Sequence, residues 1–192
     1  MAEDGEAMAH NFIKVMMAVK LQTRHVDLSM ATTKVDMGTD PMAVAALGEV
    51  LGGAKVACWF LKLDGNALGD AGVTALAEGL KTNKTVELLH LNNCGIGAEG
   101  ATALAEALKV NQKLRKLYLI ENKVGDVGAA ALAEALKVNR TLQSLNLMTN
   151  GIDSPDVVKA LQSAGAATAD RKKAVSMDLF GNPGSPGCCV LQ

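Results

Sequence analysis

Aromatic side chains are scarce in this sequence: one Trp, one Tyr and three Phe make up 3% of 192 residues, while 49% are apolar. A core without rings must be assembled from Leu, Val and Ala, which suits small units packed closely and repeatedly. Long apolar runs are lacking too. The longest, such as Val15 to Val19, fall far short of the roughly 20 residues that span a bilayer, so no membrane-crossing helix is expected. Neither sign of charge is in excess, since 19 Lys and Arg stand against 20 Asp and Glu for a net charge of −1. That balance leaves little field to hold a phosphate backbone, and nucleic acid is not expected as a partner. The four cysteines, Cys58, Cys94, Cys188 and Cys189, form no CxxC pair, so neither a disulfide framework nor a zinc site is expected. His10, His25 and His90 are scattered, without HExxH or GxSxG; no catalytic set, cofactor or small-molecule substrate is indicated. The acidic start, Met1-Ala2-Glu3-Asp4-Gly5-Glu6, is unlike the basic leader of an exported chain, so cytoplasmic synthesis with reduced thiols is expected.

What the sequence has is a period. In rows of 28, Leu63, Leu91, Leu119 and Leu147 share a column, with Leu61, Leu89, Leu117 and Leu145 two places before and Asn66, Cys94, Asn122 and Asn150 three places after. Further columns are Gly72/Gly100/Gly128, Leu76/Leu104/Leu132, Glu78/Glu106/Glu134, Leu80/Leu108/Leu136 and Asn83/Asn111/Asn139. The first part of each row alternates apolar and polar and predicts a short strand. The second, as in residues 101–109, sets leucines at i and i+4 among strong helix formers and predicts a helix. Asn or Cys after the strand is small and polar enough to turn inward onto loop backbone. The Asn closing each helix is expected in the left-handed conformation that stops one. One unit alone would leave its leucines wet, so stacking is what stabilises it.

These rows resemble the leucine-rich repeat family, and the 28-residue length with LGDxGxxALAEALKxN resembles its ribonuclease-inhibitor-like subclass, shared with NOD-like receptors and Ran GTPase-activating protein. The fold implied is an α/β solenoid, a curved parallel sheet on the concave face and helices on the convex face. The resemblance is strongest over residues 56–152. An earlier strand at residues 24–29 lies 35 residues before its successor (Leu28 to Leu63), and a last strand at residues 177–182 follows its predecessor by 32 (Leu147 to Leu179). Residues 1–22 are assigned to a helical cap, 23–182 to the repeats and 183–192 to a flexible tail. The resemblance implies a protein partner, or, as in Ran GTPase-activating protein, regulation of an enzyme; a structural subunit of a larger assembly is a third reading.

The tail ends in Cys189-Val190-Leu191-Gln192, which fits the C-a-a-X pattern with X as Gln, associated with farnesylation. Cys189 is therefore the expected prenyl site. One chain binds membranes only marginally, and the second signal could be palmitoylation of Cys188 or the basic run Arg171-Lys172-Lys173. Side chains between the buried leucines face outward in rows, and Phe60, Lys62, His90, Tyr118, Ile120, Met148 and Phe180 are the candidate partner-binding residues among them. Tyr118, Ile120, Met148 and Phe180 would form an apolar patch that either receives a partner or packs against the tail or a neighbouring loop. Trp59, one place off this face, is expected to bury against the preceding unit or the helix layer. Glu78, Glu106 and Glu134, each three residues before a Lys, read as helix-surface ion pairs.

Overall fold

A computed structural model describes residues 24–28, 41–53, 57–166 and 176–178. The expected cap, Arg171-Lys172-Lys173, Phe180, Cys188 and Cys189 lie outside the described residues. Strands and helices alternate in the order β1 (His25–Asp27), α1 (Pro41–Leu51), β2 (Phe60–Lys62), α2 (Gly69–Thr82), β3 (Leu88–His90) and α3 (Ala98–Val110). The chain continues through β4 (Lys116–Tyr118), α4 (Gly125–Val138), β5 (Ser144–Asn146), α5 (Pro155–Ala166) and β6 (Ser176–Asp178). The strands form one parallel sheet in sequence order. Phe60 pairs with Leu88, Leu88 with Lys116 and Lys116 with Ser144, one repeat apart each time. The irregular end units keep the same register across their insertions: His25 pairs with Phe60 and Ser144 with Ser176. This is the leucine-rich repeat solenoid the sequence implies.

The core lies between sheet and helices. Leu61, Leu89, Leu117 and Leu145, the middle residues of their strands, are fully buried, as are the helix leucines Leu76, Leu104 and Leu132. Each buried leucine side chain contributes about 1.5–3 kcal/mol, and neighbouring units share the surface that provides it. A further core column, Cys58, Val86, Leu114 and Leu142, fixes the chain between helix end and strand and explains Cys58 as a packing residue. Its thiol donates to the Phe60 carbonyl at 3.0 Å. Burial pushes the Cys58 thiol up to about 11, with backbone hydrogen bonds at Phe60 and Val26 pulling partly the other way. Because the thiolate is the reactive form, Cys58 and Cys94, both buried, should remain unmodified by a thiol-labelling reagent at pH 8 and react once the chain is unfolded. Peptide mapping of the labelled protein reads both sites.

Two asparagine ladders tie the units together. In the first, the Asn122 amide donates to the Leu91 and Leu119 carbonyls at 2.8 and 2.9 Å, and its Oδ1 accepts from the Cys94 and Ile96 amides, both at 3.0 Å. Asn66 and Asn150 repeat the donor half of this pattern, and Asn150 Oδ1 also accepts from the Val124 amide at 3.3 Å. Cys94 takes the same inward position with its thiol 3.3 Å from the Leu63 carbonyl, but it has no oxygen to accept the amides of the unit before it. There the Leu68 amide turns to the Asn66 carbonyl at 2.7 Å instead. Cys94→Asn should replace a weak sulfur partner by a carbonyl oxygen and raise stability by about 1 kcal/mol, measured as a shift in the denaturant midpoint; a loss of stability would show that the tightened turn is the preferred arrangement.

The second ladder corrects an expectation. Asn83, Asn111 and Asn139 end their helices in extended conformation, with φ near −65° to −70° and ψ near 130°, and not in the left-handed region. Their side chains do the capping. The Asn111 amide reaches back to the Leu80 carbonyl at 2.7 Å, while its Oδ1 accepts from the Lys113 and Leu114 amides at 2.8 Å each. A left-handed residue is unnecessary when one amide satisfies both the preceding helix end and the next turn. Left-handed residues occur after β2, β3, β4 and β5 instead, at Gly65, Asn93, Glu121 and Thr149.

Helix starts borrow caps from the preceding unit. Asp70 Oδ1 accepts from the Gly97 and Gly100 amides at 2.7 and 2.8 Å, capping α3. Asp126 does the same for the Asp153 and Ser154 amides ahead of α5. A carboxylate at a helix N-terminus also complements the macrodipole. On the convex surface Glu78–Lys81, Glu106–Lys109 and Glu134–Lys137 form the expected ion pairs.

Candidate functional site

The concave face is built by the residues flanking each buried strand leucine. Pleating sends Phe60 and Lys62 of β2, and His90 and Tyr118 of the next two strands, away from the helices; all four are half-buried. Parallel register then sets neighbouring strands about 4.8 Å apart, close enough for ring contact. The His25 and Phe60 ring centres are 4.2 Å apart, Phe60 and His90 5.0 Å, and His90 and Tyr118 4.5 Å. Four rings thus run obliquely across four strands. Charged groups flank them: Lys62 Nζ lies 3.4 Å from Asp27 Oδ2, and His90 Nδ1 lies 3.6 Å from Asp64 Oδ2. A stripe of aromatic rings held between charged groups is the composition of a protein-binding surface.

Of the candidate residues, Phe60, Lys62, His90 and Tyr118 come together in or beside this stripe, while Ile120 and Met148 lie on the strand-to-helix side of β4 and β5, half-buried. The Ile120 amide is tied to Asn92 Oδ1 at 2.8 Å, and the Asn92 amide to Asp64 Oδ1 at 2.8 Å. His25 was not among the candidates, although its side chain starts the stripe. The signal was its position 35 residues before Phe60, an offset that becomes a pairing only across the insertion. Asn146, in an outward row by sequence, is buried, with its Oδ1 accepting from the Met148 amide at 3.0 Å.

Trp59 departs from its expected burial and is 44% exposed. It precedes β2 on the rim where helices end and strands begin, and the row continues through Glu87, Arg115 and Gln143. Its backbone explains this: Trp59 N donates to the Arg24 carbonyl, and its own carbonyl receives the Glu87 and Leu88 amides, so the buried slot belongs to Cys58 one residue earlier. The same rim carries Lys84, Lys113, Arg115 and Arg140, all exposed, and among the described residues only Arg115 of these four finds a carboxylate, Glu87 at 3.2 Å. The opposite rim carries Asp70, Glu99, Glu121, Asp126, Asp153 and Asp156, against one exposed cation, Lys123, in its loops. The solenoid is therefore polarised from edge to edge although its net charge is close to zero.

Among the described residues, no group of three His, Cys, Asp or Glu is placed to hold a metal ion, and no helix is long and apolar enough to cross a membrane. A leucine-rich repeat family model matches residues 60–77, 82–105, 110–133 and 138–159. No curated protein sequence matches the chain. Its fold is similar to that of leiomodin-1 actin-binding site 2, with TM-score 0.62 and 20% identity over 81% of this chain and 88% of that one. It is also similar to the tropomodulin C-terminal domain of Caenorhabditis elegans, with TM-score 0.56 and 12% identity over 89% of this chain and 81% of that one. At these identities the likeness is one of fold. The chain carries leucine-rich repeats within residues 60–159, folded as a leucine-rich repeat solenoid, and repeats of this class support protein–protein interaction.

Proposed function

We propose that this chain is a non-enzymatic protein-binding module or adaptor, that its partner docks on the concave face, and that a prenyl group on Cys189 holds it to the cytoplasmic face of a membrane. The observation that carries the binding reading is the ring stripe His25–Phe60–His90–Tyr118 on a sheet face that the helices leave uncovered. Aromatic anchors in the centre of a patch supply most of the energy at interfaces. The 28-residue helix-bearing unit supports placement in the ribonuclease-inhibitor-like subclass. Leiomodin-1 is an actin-binding protein by its description, so actin is the first partner to assay.

Capture of partners from a eukaryotic extract, alongside actin co-sedimentation, tests the face. Phe60→Ala with Tyr118→Ala should lower recovery of the partner at least about tenfold, as loss of two aromatic anchors implies, while the circular dichroism spectrum stays unchanged. Equal recovery by the folded double variant would move the site off the concave face. Stimulation of GTP hydrolysis on a small GTPase by catalytic amounts of the chain would replace the adaptor reading with an enzyme-regulating one.

The tether rests on Cys189-Val190-Leu191-Gln192. Cys189→Ser should shift the protein from the membrane to the soluble fraction of eukaryotic cells, and Cys188→Ser should do so partly where Cys188 holds a second lipid. Intact mass should show the added lipid with loss of residues 190–192. An unmodified chain would remove the membrane from the proposal and leave the concave site standing.

A further inference from the structure

The rim at the helix C-terminal edge holds features that neither the repeat architecture nor the ring stripe explains. Lys81, Lys109 and Lys137 are accounted for by their helix-surface ion pairs. Lys84, Lys113 and Arg140, in the loops after those helices, have no carboxylate partner among the described residues and are exposed. Between the α3–β4 and α4–β5 loops lies a notch of about 220 Å³ lined by Lys113, Arg115 and Arg140, with Gln112, Thr141 and Gln143 as neutral donors. It adjoins a wider groove of about 730 Å³ that Lys84 and Lys113 also line.

We propose that this notch and groove bind an acidic peptide segment of a partner protein, whose carboxylates engage Lys113, Arg115 and Arg140. Three features favour a peptide. Lys84, Lys113 and Arg140 lie on three successive repeats, with Arg115 beside Lys113 in the same loop, so the cations follow the stacking direction along which an extended chain can run. Amide and hydroxyl donors stand between them, which suits side-chain carboxylates entering one at a time. A flat anionic bilayer would meet Glu87 in the same row as Arg115, whereas a narrow chain can pass it by. The loop ending in Arg115 leads directly into β4 with its exposed Lys116 and half-buried Tyr118, so a segment on the rim can extend onto the concave face. The inference rests on the concave-face reading only for that second anchor.

A fluorescein-labelled octa-glutamate peptide probes the rim by itself, with anisotropy and the fluorescence of Trp59, the single tryptophan, as readouts. Saturable binding is expected, weakening by about tenfold or more as salt rises from dilute to physiological strength, because exposed charges are screened over about 8–10 Å. Lys113→Gln with Arg140→Gln should reduce the affinity at least about tenfold, and Lys109→Gln with Lys137→Gln, which line neither the notch nor the groove, should leave it within about twofold. Phe60→Ala with Tyr118→Ala should not alter binding of this probe, which separates the rim from the stripe. Equal losses from the two lysine-containing pairs would reduce the effect to net charge and overturn the site. Absence of peptide binding overturns it outright, and so does preferential binding of the chain to vesicles of phosphatidylserine and phosphatidylcholine that the Lys113/Arg140 variant abolishes.

Discussion

Asn122→Ala is expected to cost about 3–5 kcal/mol, read as a fall in the denaturant midpoint without a change of slope. The side chain serves two units at once. Its Oδ1 receives the Cys94 and Ile96 amides of the preceding unit, and its amide donates to the Leu91 and Leu119 carbonyls. Asn122 is 6% exposed, and Cys94 and Ile96 are fully buried, so water cannot replace it without opening the stack. A buried donor left unpaired costs about 1–3 kcal/mol, and alanine orphans two amides as well as withdrawing a donor from two carbonyls. Cys94→Ala, in the same column, should cost only about 1 kcal/mol, because a thiol is a weak donor and a weak acceptor. Asn122→Asp should be nearly as harmful as alanine at neutral pH, since its carboxylate would face two carbonyl oxygens. Similar small losses for Asn122→Ala and Cys94→Ala would mean that the column does not organise the loops.

Gly79→Ala is expected to produce the second large effect, about 3 kcal/mol or more, through an added methyl group. A Cβ at Gly79 would lie 2.1 Å from the Gly48 carbonyl oxygen, and one at Gly48 would lie 2.3 Å from the Ala75 carbonyl oxygen. These are backbone atoms, so no rotamer change relieves the overlap; α1 must move off α2. Ala107 and Ala135 occupy the equivalent position in later units and are buried without harm, so the demand for glycine comes from the close approach of α1. Because solenoid units contact only their neighbours, hydrogen exchange should accelerate in α1 while α3 to α5 keep their protection. Gly69→Ala is the informative comparison: its φ of +58° disfavours a side chain, but nothing lies within 4 Å of the added carbon, so the cost should stay at about 1–2 kcal/mol. Equal effects at the two glycines would assign both to backbone conformation and leave the helix contact without consequence.

Sequence alone determined the repeated unit, because the forces that make it are local and recur every 28 residues. Alternation around Leu61, Leu89, Leu117 and Leu145 gives strands, the i, i+4 leucines give helices, and inward Asn66, Cys94, Asn122 and Asn150 follow from a polar residue closing a buried strand. Six strands in sequence order and the outward placement of Phe60, Lys62, His90 and Tyr118 follow from the same period. Tertiary structure decided what depends on the approach of one unit to another. His25 meets Phe60 only because β1 holds its register across a 35-residue unit. Trp59 is exposed because Cys58 fills the column beneath it, and Asn83 caps in extended form because its amide reaches Leu51 in the preceding unit. Likewise Lys113, Arg115 and Arg140 share a notch because adjacent loops stack. A one-dimensional pattern sums contributions within a unit; ring contacts, shared caps and backbone clashes depend on distances of a few ångströms between units, which the packing of the helix layer sets.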